Sequence, residues 1–327
     1  MMRYGTNTWI AGLCVVAINA AGFTSPATAE YPDKPIQIIV PYSAGGGTDT
    51  FARRLKAQLS PKLGQEIVIK NISGAGGTLG MKAAAKAKPD GYTLIFALSS
   101  QFAVNVSLFK KIPYDPIKSF QPISLIGSVP YVLVVHPSLG VKSVKGLIDL
   151  AKKKPGELSY ASAGVGSGAH LTTELLKAKA GIKMLHVPYK GSSKAYPDLL
   201  SGRVQVMFAT YAPIAGHIKS GKLIPIGVSS AKRAAALPDF PAVGETVDGF
   251  GATTWYAFAA PAGIPDSVLR KLNKATIAAL KEPVLKAQLD KSAITIIGSS
   301  PEELVNYIPK EIKKWREVIK ASGAKIR

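Results

Sequence analysis

A single cysteine, Cys14, serves 327 residues, and it falls inside the N-terminal apolar run. Leu13 precedes it where a lipoprotein acylation site would carry a small residue. Arg3, the apolar stretch Trp9 to Ile18 and Ala27-Thr28-Ala29 before Glu30 have the order of a secretory leader with an A-x-A cleavage site. Cleavage there leaves no cysteine, which excludes a disulfide framework, a thiol nucleophile and a Cys-ligated metal. Long apolar runs are also missing: no stretch reaches the roughly 18 to 20 residues that a spanning helix needs. The expectation is an exported chain, periplasmic after loss of a signal peptide over residues 1–29.

Acidic residues are scarce, 20 Asp and Glu against 41 Lys and Arg, for a net charge of +21. The leader carries only Arg3, so its loss leaves +20. The lysines are spread over helix faces, as at Lys82, Lys86 and Lys88 or Lys152, Lys153 and Lys154, with no basic run interleaved with aromatics. That distribution argues against nucleic acid and for a field that attracts small anions. The four histidines, His136, His170, His186 and His217, fall in no H-E-x-x-H or H-x-H spacing, and no G-x-S-x-G elbow is present. The reading therefore carries no catalytic residue, no metal and no cofactor.

What is present is alternation. Strand-like Ile36 to Val40, Ile67 to Lys70 and Thr93 to Leu98 are separated by helical patterns over Thr48 to Leu63 and Gly77 to Ala87. The pattern restarts at Tyr131 to His136 and continues through Ser159 to Ala161, Met184 to Val187, Val204 to Phe208 and Ile224 to Ser229. Such alternation predicts α/β layers, parallel sheet flanked by helices. The 298 residues from Glu30 to Arg327 exceed what one core usually holds, so two lobes are expected. With crossings near Tyr131 and Tyr256, the first lobe is discontinuous, residues 30–130 plus 256–327, and residues 131–255 make the second. Ligands in such sheets bind beyond the carboxyl ends of the strands.

Two glycine-rich helix entries carry the chemistry. Tyr42-Ser43-Ala44-Gly45-Gly46-Gly47-Thr48-Asp49 follows the first strand and opens a helix. Glycines let backbone N–H groups approach a ligand, and a helix N-terminus adds about half a positive charge. The alternative reading is a tight turn that Asp49 caps. In the other lobe, Ser162-Ala163-Gly164-Val165-Gly166-Ser167-Gly168-Ala169-His170 repeats the arrangement. One such entry per lobe suits a clamp on an anion; each also reads as a simple cap. A third loop, Ser73 to Thr78, is read as packing. Ser99 and Gln101, after the third strand, join the candidate ligand contacts.

Tyr31-Pro-Asp-Lys-Pro-Ile, Val40-Pro-Tyr-Ser-Ala-Gly-Gly-Gly-Thr-Asp, Gly74-Ala-Gly-Gly-Thr, Pro89-Asp-Gly-Tyr-Thr-Leu, Pro113-Tyr-Asp-Pro, His186-Val-Pro-Tyr-Lys-Gly and Ala260-Pro-Ala-Gly, in that order, resemble the Bug family. These are extracytoplasmic receptors of tripartite tricarboxylate transporters. The resemblance implies a two-lobed, type II-like periplasmic-binding-protein fold that closes on a small organic carboxylate, held largely by backbone groups and water, and delivers it to membrane subunits as a monomer. It places Tyr189-Lys190-Gly191 near the cleft, Lys190 being a counter-charge or a solvated helix-entry lysine. Where many members have Asp-Asn, this chain has Ala209-Thr210 before Tyr211. That departure disfavours an amino acid ligand and leaves Tyr211, Phe102, Tyr42 and Trp255 as a candidate aromatic wall. A periplasmic enzyme acting on a carboxylate or ester on the same scaffold is the alternative.

Overall fold

The structure is a computed structural model that describes residues 1, 2, 5, 30–234 and 236–322. The leader expected over residues 1–29, with its cleavage site and Cys14, falls outside the described residues apart from 1, 2 and 5. Residues 31–327 form one compact unit. Among the described residues no helix is long and apolar enough to cross a membrane.

The strands are β1 (Ile36–Val40), β2 (Ile67–Asn71), β3 (Thr93–Leu98), β4 (Phe120–Pro130), β5 (Val132–Val135), β6 (Ser159–Ser162), β7 (Leu185–Pro188), β8 (Val206–Ala209), β9 (Ile224–Val228), β10 (Thr253–Pro261) and β11 (Thr295–Ile296). The helices are α1 (Gly47–Leu63), α2 (Thr78–Ala85), α3 (Asn105–Leu108), α4 (Val144–Lys153), α5 (Gly168–Ala180), α6 (Ser192–Leu200), α7 (Tyr211–Lys219), α8 (Asp266–Leu280), α9 (Pro283–Asp290) and α10 (Pro301–Ser322).

Two sheets share one plan. The first has the order β11-β4-β10-β3-β1-β2 and the second β7-β6-β8-β5-β9. In each, three strands run parallel (β2-β1-β3 and β7-β6-β8), and the fourth, β10 or β5, is antiparallel to both its neighbours. That fourth strand is the one arriving from the other lobe: β4 runs into β5, and the chain after β9 returns as β10. Each lobe thus takes its antiparallel strand directly from a crossing. By sheet membership the return crossing falls at Thr253, three residues before Tyr256.

One residue ties the crossings together. Buried Ser229 donates its N–H to the Tyr131 carbonyl (2.8 Å) and accepts from the Ala252 N–H (2.7 Å). Its hydroxyl accepts from the Tyr131 N–H at 2.8 Å and donates to the Ala252 carbonyl.

Local chemistry explains most elements. In α4, Val144, Leu147, Ile148 and Ala151 bury one face, and Ser143 caps the helix by accepting from the Gly146 N–H at 3.1 Å. In β1, Ile36, Ile38 and Val40 pack into one apolar layer while Ile39 faces the other, the period-two alternation of a strand covered on both sides. β4 is not legible from the sequence because Pro122 and Gly127 interrupt it. The sheet absorbs Pro122 opposite Ala259, where the β4–β10 register shifts. Pro213 hides α7 in the same way, although proline is tolerated in a first helical turn.

Candidate functional site

The first loop leaves β1 and turns into α1. Tyr42 is buried; its phenolic oxygen accepts from Gln101 Nε2 at 2.6 Å, and its carbonyl accepts from Asn71 Nδ2 at 2.9 Å. Asp49 turns into the loop instead of the cleft. Its Oδ2 accepts from the Gly45 N–H and from Arg53 Nε, each at 2.9 Å, and its Oδ1 accepts from Asn71 Nδ2 at 2.9 Å. Burial alone would raise its pKa, but the hydrogen bonds from Arg53, Gly45 and Asn71 outweigh it and hold the carboxyl below its ordinary value. The residue read as a ligand contact or cap is the loop's brace.

The second loop sits on a stack of neutral rings. His170 and His186 lie face to face with centroids 4.2 Å apart, and Tyr160 stacks on His186 at 4.8 Å. His170 Nδ1 accepts from the Gly166 N–H at 3.3 Å, which places its proton on Nε2. His186 Nε2 meets Ser162 Oγ at 2.7 Å, and that hydroxyl accepts from the Gly164 N–H at 3.1 Å. Burial pushes the pKa of His170 down to about 4, despite Glu174. It pushes that of His186 down to about 3, and the neighbouring His170 adds to the effect. Ser167 Oγ caps α5 by accepting from the His170 N–H at 3.4 Å.

Between the loops lies a cavity lined by Tyr42, Gly46, Gly47, Thr48 and Leu98 from the first lobe, Tyr131 at the crossing, and Ala163, Ser167, Gly168, Ala169, Ser192 and Thr210 from the second. Its room is about 20 Å³, where one water needs roughly 10 to 15 Å³. Four helix N-termini converge on it: Gly46–Gly47 of α1, Ser167–Gly168 of α5, Ser192 of α6 and Thr210 of α7. The first-turn N–H groups of a helix have no intrahelical partner, and each N-terminus carries roughly half a positive charge. Among the described residues no charged side chain lines the cavity. Burial raises the pKa of Tyr42 and Tyr131, so both hydroxyls stay neutral.

The lobes touch on both flanks of this space. Ser193 Oγ donates to the Ala44 carbonyl at 2.7 Å, which commits its single proton. The 2.7 Å contact with Ser43 Oγ is therefore donated by Ser43. On the other flank Gly76 packs against Val165 and Gly166, so the loop read as packing lies at the interlobe contact. Gly47 abuts the Thr210 side chain, where a Cβ would overlap it, and Gly168 abuts the Tyr131 hydroxyl in the same way.

Of the candidate ligand contacts, Tyr42, Gly46, Gly47, Thr48, Ala163, Ser167, Gly168 and Thr210 line the cavity. Others do not. Ser43, Ala44 and Gly45 lie on the flank facing Ser193. Ser99 Oγ bonds Thr254 Oγ1 at 2.9 Å, and Gln101 holds Tyr42 and the Gly76 carbonyl from behind. Ser162, Gly164 and His170 shape the second loop from below. Ala209 packs in the core beside Val132 and Met207, because the last residue of β8 still points into the layer; its neighbour Thr210 reaches the cleft. Tyr211 leans on Phe240, Lys190 is exposed, and Phe102 stacks on Trp255 in the core, where Trp255 Nε1 donates to Glu311. The aromatic wall is Tyr42 with Tyr131. Leu98, Tyr131 and Ser192 also line the cavity without having been candidate contacts; Ser192, first in a helix after Gly191, carried the one recoverable signal, while Ala169 belongs to the second glycine-rich loop. Among the described residues no group of His, Cys, Asp and Glu could hold a metal.

Two α/β lobes, each with an antiparallel fourth strand that follows a crossing, meeting at a cage of helix N-termini, define a periplasmic binding protein. The chain belongs to the tripartite tricarboxylate transporter receptor family, whose model matches residues 51–324. Protein BugT of Bordetella pertussis is 37% identical over 315 residues, 95% of this chain and 97% of that protein. An R. palustris protein solved with adipate superposes with a TM-score of 0.87 at 34% identity, covering 90% of this chain and 99% of its own. MatC from Rhodopseudomonas palustris, with bound malate, gives 0.84 at 30% identity, covering 88% and 100%.

Proposed function

We propose that this protein is a receptor, with no catalytic step, that captures a small organic acid between its lobes in the periplasm and hands it to the membrane subunits of a tripartite transporter. The observation that carries this reading is the convergence of four helix N-termini on a cavity without one charged side chain. Backbone donors fixed in direction stabilise a carboxylate without a counter-ion. The same four positive ends repel an ammonium, and burying one without a counter-charge costs several kcal/mol. The favoured ligand is therefore an acid with two carboxylates and no amino group. Relatives solved with adipate and with malate support that class. With Trp255 and Tyr211 turned elsewhere, an aromatic acid has only Tyr42 and Tyr131 to stack on.

Calorimetric titration with adipate, malate, glutamate, benzoate and terephthalate tests the reading. A diacid should bind tightest, with glutamate at least about a hundredfold weaker, the equivalent of roughly 2.7 kcal/mol. Glutamate binding tightest, or turnover of any of these acids, would overturn it.

A further inference from the structure

A second, smaller space adjoins the cavity. It shares Gly47 and Thr210 with it and ends at Thr50, Arg54 and Ser292. Gly47 and the Thr210 side chain, packed against each other, stand on the border of the two. A small separation of α1 from α7 therefore joins them into one slot.

Gly47, Thr50 and Arg54 stand at i, i+3 and i+7, so they share one face of α1. Seven residues of helix rise about 10 Å. Helical side chains lean toward the N-terminus, which brings the Arg54 guanidinium closer to the cage. The remainder suits a short chain of a few carbons, whose single bonds are each about 1.5 Å long.

Arg54 is chemically set apart from its neighbour. Arg53 pairs with Asp49, whereas among the described residues no carboxylate pairs with Arg54. It is half-buried, and its Nη1 donates to the Gln288 carbonyl and to Ser292 Oγ. Those bonds fix the guanidinium in place and leave Nε and Nη2 uncommitted. An oriented guanidinium with free donors is suited to bidentate binding of a carboxylate.

We propose that Arg54 is the specificity-determining residue for the far end of the ligand: the four helix N-termini take one carboxylate, and Arg54 takes the second carboxylate of an elongated diacid. This rests on the carboxylate-receptor reading and narrows it to diacids whose two ends reach both subsites.

The test is calorimetry on the purified protein with adipate and with hexanoate, which keeps the chain and drops one carboxylate. The wild type should bind adipate more tightly than hexanoate. Arg54→Gln should weaken adipate by about 10- to 100-fold, the loss expected for hydrogen bonds to a charged group, and leave hexanoate within about threefold. Arg54→Lys, which keeps the charge without the fork, should recover part of the loss. Ser292→Ala removes an anchor and keeps the cation, so it separates the contact with the turn after α9 from the charge; its effect on adipate should be several times smaller. Equal losses for both acids in Arg54→Gln, or no loss, would overturn the Arg54 subsite while leaving the receptor intact. A wild type that binds neither acid would overturn the carboxylate reading and the subsite with it.

Discussion

The loops at the mouths of α1 and α5 present the same backbone donors to the cleft and are held in opposite ways. The first is braced by charge: Asp49 gathers the Gly45 amide, Arg53 and Asn71. The second rests on neutral rings, with His170 accepting from Gly166 and His186 bonded to Ser162. A net charge beneath either loop would compete with an anion in the cage. The ion pair solves this by neutralising itself, and the histidines solve it by staying unprotonated.

The largest effect is expected where the loops approach the opposite side most closely. Gly47→Val should wedge α1 away from Thr210 and lower affinity by at least about a hundredfold, measured calorimetrically on a protein whose circular dichroism is unchanged. Gly46→Val is the control: its φ is −78° and a Cβ there meets only the Ser43 carbonyl oxygen, at 3.5 Å. Its fold should survive, and any loss should come from crowding the cavity.

Next comes the charged brace. Asp49→Ala leaves three donors without their acceptor and should cost about 1.5 to 3 kcal/mol of unfolding free energy, read by urea denaturation. Affinity should fall in parallel as the loop loosens. Asp49→Asn, which keeps one acceptor, should fall between; an unchanged Asp49→Ala would mean that the loop is held by its glycines alone.

The neutral brace responds to pH. The folded pKa values of His170 and His186, about 4 and about 3, lie below the ordinary value of 6.5. Between those limits the unfolded chain binds more protons than the folded one, so stability falls as pH falls below 6.5 and levels off near 4 for His170 and near 3 for His186. The slope is at most about 1.4 kcal/mol per pH unit for each histidine. From pH 7 to 5 the loss should be on the order of 2 kcal/mol for His170 and less for the more exposed His186. His170→Gln should flatten the profile. The Asp49 brace behaves differently: its depressed pKa gives stability that is present above the ordinary carboxyl value and lost only as pH falls below it. A Gln variant with the wild-type slope would place the acid sensitivity elsewhere.

The smallest effect belongs to the flank. Ser193→Ala removes two hydrogen bonds across the lobes and should weaken ligand binding about two- to tenfold with little change in melting temperature. A stronger loss of stability than of affinity would show that these bonds hold the fold and not the closed cleft.

Much of this was legible beforehand because it is local. The glycine-rich helix entries after β1 and β6 and the alternation of strand and helix are decided by neighbours in the chain. The roles of Asp49, His170 and Gln101 were not, since each is set by a partner on another segment or by the direction a loop takes. Residue 209 shows the limit most plainly: the departure at Ala209-Thr210 was readable, but which of the two faces the cleft depends on where β8 ends. Tyr131 was read as a crossing, but its bond to Ser229 was not, because that contact exists only once the other crossing lies beside it.

By itself the sequence determined two α/β lobes and a glycine-rich helix entry in each, from periodicity and glycine placement. Only the tertiary structure decided that two further helices, α6 and α7, point their N-termini at the same 20 Å³, and that Arg54, with no carboxylate partner among the described residues, lines the adjoining space. The physical reason is that a helix dipole has a direction as well as a charge, and direction is set by how the elements pack against one another.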